Sequence, residues 1–228
     1  MLLGTVWRGP DLGPLLPGHL RAAGASLLAT CVAAILAAFL AAQGNPSRLD
    51  AVLDPRIQSA MSRFPVLLNW LPDLGTLRPV ALMTLVLALA FAATGRWSGA
   101  VLAVVAIPGA IGLTEYVLKP YVGGSLGESF PSGHATSSFA LAAACAVLLA
   151  SPPRHRLPGT LRLLLVLTAL LLATAVAAAM VAIGAHSFTE AVAGAAVGTG
   201  VVLACALALD LVTSRARRAP AEQPEPAV

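Results

Sequence analysis

Residues 161–183 read LRLLLVLTALLLATAVAAAMVAI, twenty-three residues with a single charge, Arg162, near the start. A helix rises about 1.5 Å per residue, so this stretch reaches about 34 Å, enough to cross a hydrocarbon layer of about 30 Å. Five further runs have the same character: 22–42, 79–94, 98–118, 135–150 and 189–212. The run 135–150 is short, and its span is expected to begin near Pro131. The expected fold is therefore all-α: a polytopic membrane protein with a bundle of six transmembrane helices. Composition agrees. Of 228 residues, 58% are hydrophobic and 11% charged, with a mean hydropathy of +0.86. A soluble domain carries about 25% charged residues. Soluble enzymes and disordered proteins are excluded on that ground. The net charge of +4 comes without any basic stripe interleaved with aromatics, so no nucleic acid is expected as a partner. The partner implied is the lipid bilayer.

The rest of the chain arranges itself around these spans. Residues 1–21 are expected to form an N-terminal tail ahead of an uncleaved first span, because the apolar run comes late and at full length. Residues 22–213 form the membrane domain. Residues 214–228, SRARRAPAEQPEPAV, are expected to be a disordered C-terminal tail. Segment 43–78 differs from all of these. Its Leu49, Val52, Leu53, Ile57 and Met61 recur at helical spacing among Pro, Asp and Arg residues. That pattern fits an amphipathic helix on the membrane surface, or a structured connector covering the bundle. Cys31, Cys145 and Cys205 each sit in an apolar run and read as small hydrophobes.

Basic residues set the orientation. Arg8, Arg21, Arg96, Arg154, Arg156, Arg162, Arg215, Arg217 and Arg218 flank one side; Arg48, Arg56, Arg63, Arg78 and Lys119 flank the other. The richer side is expected to be cytoplasmic, with both termini inside and the chain a multi-pass protein of the cell membrane. Segment 43–78, the 119–134 loop and the 184–188 turn then share the outer face.

Three polar groups gather there. Lys119, the only lysine, ends the third span. Phe130-Pro131-Ser132-Gly133-His134 opens the fourth. His186 and Glu190 open the sixth. A helix N-terminus at Ser132–His134 offers free N–H groups to an anion, Gly133 allows close approach, and Lys119 brings a countercharge. The same residues also serve simply to start a helix. His186 and Glu190 share one helical face, where a carboxylate on one imidazole nitrogen makes the other nucleophilic. Alternatively, Ser187-Phe188-Thr189-Glu190 is a capping box, with Ser187 as N-cap and Glu190 three residues on. Glu115, one turn before Lys119, either holds the lysine in place or competes with an anion for it. The spacing Gly194-x-x-x-Gly198 fits close helix packing, within the chain or at a homo-oligomer interface.

Lys119, then Pro131-Ser132-Gly133-His134, then His186 with an acid at Glu190, resembles the type 2 phosphatidic acid phosphatase superfamily. The resemblance covers about residues 49–212. It implies six helices with the site on the outer face and hydrolysis of a lipid phosphate or diphosphate without a metal or other cofactor. By resemblance, His186 is the nucleophile that becomes phosphorylated, Glu190 orients it and His134 protonates the leaving oxygen. Lys119, Ser132 and the Gly133 amide hold the phosphoryl oxygens. Polyprenyl diphosphates and phospholipid phosphates are the substrate classes implied.

The sequence departs from the family in two motifs. An Arg-Pro expected after Lys119 is Leu126-Gly127, and a Ser-Arg expected before the nucleophile is Ala179-Met180. Glu190 stands where the family usually has Asp. Arg78, at the outer end of the second span, is the candidate replacement for a missing arginine. Two other readings stand beside the enzyme: a non-catalytic relative that binds a lipid phosphate or regulates a partner, and a small transporter. The transporter is disfavoured, because the polar residues cluster at one face and no paired broken helices mark a midplane site.

Overall fold

The computed structural model describes residues 14–43, 47–126, 129–150 and 157–218. Among these residues it is all-helical: α1 Gly18–Ala42, α2 Arg48–Met61, α3 Pro65–Leu74, α4 Leu77–Ala93, α5 Trp97–Gly112, α6 Lys119–Leu126, α7 Gly133–Ala150, α8 Gly159–Ala182 and α9 Phe188–Arg218. A π-helical turn, Leu113–Leu118, joins α5 to α6 without a break. Five helical runs are long and apolar enough to span a membrane: α1, Trp97–Val122, α7, α8 and α9 up to Arg215. The pair α3 and α4, bent by 62° at Gly75 and Thr76, supplies a sixth candidate. The chain is thus a multi-pass membrane bundle, as its composition requires.

Small residues build the interior. Helices α7 and α9 pack against each other most extensively, with α1, α5 and α8 around them. Their contact uses Ala140, Ala144, Val202 and Ala206, backed by Leu102, Ala103 and Ala106 of α5. Alanines allow close backbone approach, which suits helices whose outer faces meet lipid and gain nothing from apolar burial there. The large side chains point outward: Leu82, Leu85, Leu89, Leu163, Leu164 and Leu171 are all exposed.

Gly194 and Gly198 show why the small residues matter. A Cβ on Gly194 would strike the Ser132 carbonyl oxygen, and one on Gly198 the Thr136 carbonyl oxygen. The GxxxG spacing therefore serves packing within this chain.

Segment 43–78 folds as two helices and the lead into a third. Ile57 and Met61 of α2 pack on the bundle, while Leu49 and Val52 stay exposed. Asp50 and Asp54, one turn apart on α2, cap the start of α9. Asp50 accepts from Thr189 N and Thr189 Oγ1, both at 2.9 Å, and Asp54 accepts from Phe188 N at 2.9 Å.

Three expectations change. The N-terminal tail is already ordered against the bundle at Leu15 and Leu16, whose amides donate to Asp210 at 2.6 and 3.0 Å. Arg21 also approaches Asp210, at 3.6 Å, and α1 begins at Gly18, earlier than the apolar run implied, because Pro17 sits at its N-cap. At the other terminus α9 continues to Arg218, since nothing in 213–218 breaks a helix. Finally, Lys119 lies inside a continuous helical run to Leu126. Arg8, Arg154, His155, Arg156, Gly127, Glu128 and residues 219–228 lie outside the described residues.

Candidate active site

Helices α7 and α9 start at the same end of the bundle, and the close glycine contacts fix them there. The residues just before α7 are tied to α9 by Ser132 N, which donates to the Glu190 carbonyl at 3.1 Å. The turn between α8 and α9 folds back so that Ala185 N and His186 N both donate to the Met180 carbonyl, at 3.0 and 3.2 Å. Gly184 takes the left-handed conformation this reversal needs, with φ of 74°. The result places His186 opposite His134, with ring centroids 6.3 Å apart.

The His186 side chain is 10% exposed, and its Nδ1 lies 2.8 Å from Glu190 Oε2. The same Oε2 accepts from Ser187 N at 3.2 Å, and Ser187 Oγ accepts from Glu190 N at 3.3 Å. The capping box and the imidazole contact, two readings the sequence left open, both exist. They coexist because the Ser187 amide and His186 Nδ1 converge on one carboxylate oxygen. The second oxygen, Oε1, accepts from Ser129 Oγ at 2.7 Å. Glu190 is thereby held on both oxygens. With Nδ1 engaged, Nε2 is the imidazole atom left for chemistry.

Lys119 meets Glu115 in a bidentate pair, Nζ lying 2.8 Å from each carboxylate oxygen. Both stand against the first residue of α7. A Cβ on Gly133 would collide with Glu115 Oε1 and lie 3.6 Å from Lys119 Nζ. Thr114, buried in the π-helical turn, donates to Thr136 Oγ1 at 3.1 Å, and Thr136 donates to the Ser132 carbonyl at 2.9 Å. This hydroxyl chain locks the turn that carries Glu115 to the start of α7. Ser132 is fully buried, and its Oγ accepts from Ala135 N at 3.4 Å as a cap of α7.

Of the residues singled out in the sequence, His134, His186, Glu190, Lys119, Ser132 and Gly133 come together at this end. Arg78 is exposed near the start of α4 and makes no hydrogen bond or ion pair with a described residue. Met180, where an arginine was expected, is buried. The sequence did not single out Asp50 and Asp54 as neighbours of the site; their four-residue spacing on the outer segment was the available signal. Burial pushes the Asp54 carboxyl above its ordinary value of 3.8, with the bond from Phe188 N opposing and the charges of Asp50 and Glu190 adding. Among the described residues no three His, Cys, Asp or Glu side chains converge to hold a metal ion.

A family model described as the PAP2 superfamily matches residues 18–213. The chain belongs to the PAP2 superfamily. Members of this superfamily are phosphatases, and the match takes in the whole bundle, including both histidines. Among curated proteins and among solved structures, no match to the chain was found. Within the PAP2 bundle the histidine pair and its glutamate stand complete, while one of the two arginine-bearing motifs of the resemblance is filled by a buried methionine.

Proposed function

We propose that this PAP2 protein is a phosphatase of a membrane lipid, acting through a phosphorylated His186. The observation that carries the reading is the 2.8 Å contact of His186 Nδ1 with Glu190, with His134 facing the same imidazole. His186 Nε2 attacks phosphorus. The bond from phosphorus to the lipid oxygen breaks as His134 delivers a proton to that oxygen. Water then attacks the phosphohistidine and gives a proton to His134. Phosphate leaves and both histidines return to their starting states. Lys119, Ser132 and the Gly133 amide are the groups proposed to hold the phosphoryl oxygens. No step uses a metal.

A groove of about 440 Å³ between α4, α7 and α8 supports a lipid as substrate. Leu74, Leu141, Leu172 and Val176 line it. It begins beside the site: Leu74 precedes Gly75, where an added Cβ would lie 3.0 Å from His134 Cδ2. Polyprenyl diphosphates and phospholipid phosphates are the classes to test first. Sidedness follows from charge. In the sequence nine basic residues, among them Arg21, Arg96, Arg162 and Arg215, flank the end opposite the histidines, against Arg48, Arg56, Arg63, Arg78 and Lys119 at their own, so the site is proposed to face outward from the cell membrane.

Phosphate release by detergent-purified protein on a lipid phosphate panel, with EDTA present, tests the proposal. Release that vanishes in His186→Ala is the expected result. The Lys119–Glu115 pair and the buried Met180 favour a second reading, a relative that binds a lipid phosphate without turning it over. No release above the variant on any lipid establishes that reading instead.

A further inference from the structure

The groove between α4, α7 and α8 is not uniform hydrocarbon. Among the described residues that line it none is charged, and one, Ser138, carries a hydroxyl. Ser138 is 8% exposed, and its Oγ is buried without a hydrogen-bond partner among the described residues. A helical serine can relieve such an orphan by donating to the carbonyl four residues back. For Ser138 that carbonyl is His134 O, and the neighbouring Ser137 Oγ already lies on it at 3.1 Å while donating to Gly75 O at 2.8 Å. A donor left unpaired in an apolar wall costs free energy until a ligand brings it an acceptor.

We infer that Ser138 is a specificity-determining residue: its hydroxyl donates to an acyl carbonyl carried on the substrate's tail close to the phosphate. The inference rests on the proposed function, in which His134 stands at the leaving oxygen and the groove takes the chain. Ser138 follows His134 by four residues on α7, so the two share one face about 6 Å apart along the helix axis. A chain running from His134 into the groove passes the hydroxyl about one helical turn on.

The chemistry of the first few atoms of that chain decides what Ser138 meets. In a diacylglycerol phosphate the second carbon beyond the leaving oxygen carries an acyl ester, a neutral acceptor. In a polyprenyl monophosphate the same stretch is hydrocarbon, and Ser138 stays unpaired. In a polyprenyl diphosphate it is the inner phosphate, a charge that the groove lining has no cation to meet. Ser138 therefore favours acylated glycerol phosphates over isoprenoid ones. A serine serving only close helix packing would not distinguish a carbonyl from a methylene.

The test uses two phosphonate analogues that cannot be hydrolysed, one of a diacylglycerol phosphate and one of its dialkyl ether counterpart. The ether keeps both chains and loses both carbonyls. Wild-type protein is expected to bind the diacyl compound about tenfold more tightly than the dialkyl one. In Ser138→Ala that ratio should fall to within about twofold, through weaker binding of the diacyl compound alone. Ser138→Thr, which keeps a hydroxyl, should retain the preference. A wild type without preference overturns the inference, and so does a preference that survives in Ser138→Ala. Failure of the phosphatase reading shows up separately, as absent turnover of every lipid with the phosphonate binding differences intact.

Discussion

Glu190 and Asp210 are carboxylates on the two halves of one helix, α9, and they are wired differently. Asp210 is almost wholly buried and accepts from two main-chain amides, Leu15 N and Leu16 N, with Arg21 close by. All of its partners hold one state: amides do not titrate and arginine stays charged. Glu190 also accepts from a main-chain amide, at Ser187, but its other partners are a serine hydroxyl and an imidazole. The imidazole keeps a second ring nitrogen, Nε2, away from the carboxylate. A buried carboxylate whose partners are all fixed is a clamp; one that shares an oxygen with a histidine can tune chemistry. The bundle is stapled at one end and carries the proposed reaction site at the other.

The sharpest way to break this comparison is Glu190→Gln. The amide keeps an oxygen for Ser187 N and His186 Nδ1 but has no charge to stabilise the positive imidazole that forms as Nε2 bonds to phosphorus, so kcat should fall by about 10²–10⁴. The melting temperature should barely move. A kcat that holds steady would make Glu190 as structural as Asp210. The converse variant is Asp210→Ala. It strands two buried amides and should cost about 1–3 kcal/mol of stability, measured by thermal unfolding in detergent. Activity per folded molecule should stay unchanged, and a fall in kcat at constant stability would show that the two ends communicate.

The smallest effect concerns Asp54, which caps α9 beside Glu190. Its raised pKa means that the folded protein binds a proton more tightly than the unfolded chain between 3.8 and the higher folded value. Stability from this group is present below that window and is lost as pH rises through it. The substitution Asp54→Asn keeps an acceptor for Phe188 N and removes the titration. The melting temperature of this variant relative to wild type should therefore climb as pH rises through the window above 3.8, then level off. A flat difference would mean that the cap is electrically silent.

The chemical end was far more legible in the sequence than the stapled end. His186 and Glu190 are four apart, and helical periodicity alone puts them on one face. Pro131-Ser132-Gly133-His134 announces a helix start at a span boundary. Asp210 was silent, because its partners are backbone amides 194 and 195 residues away, and an amide has no signature in composition. Asp50 and Asp54 read as part of an outer amphipathic segment; which helix they cap is decided only when α2 docks on α9. The π-helical turn had no signal either. A strict helical period makes Lys119 the end of a span, whereas the structure carries it inside a longer run. Arg78 lies one turn after Gly75, which packs against His134, with its side chain exposed and no ion pair to a described residue.

Gly194 and Gly198 carry a consequence for how the protein meets membranes of different thickness. They press α9 onto the carbonyls of Ser132 and Thr136, so the helix starts that bear both imidazoles ride on one stiff block. Helices answer hydrophobic mismatch by tilting or kinking. A block joined this closely is expected to tilt as a unit and to carry the 6.3 Å imidazole separation with it. The 62° bend between α3 and α4 abuts this block at Gly75, whose carbonyl accepts from Ser137 of α7 at 2.8 Å and where an added Cβ would lie 3.0 Å from His134 Cδ2.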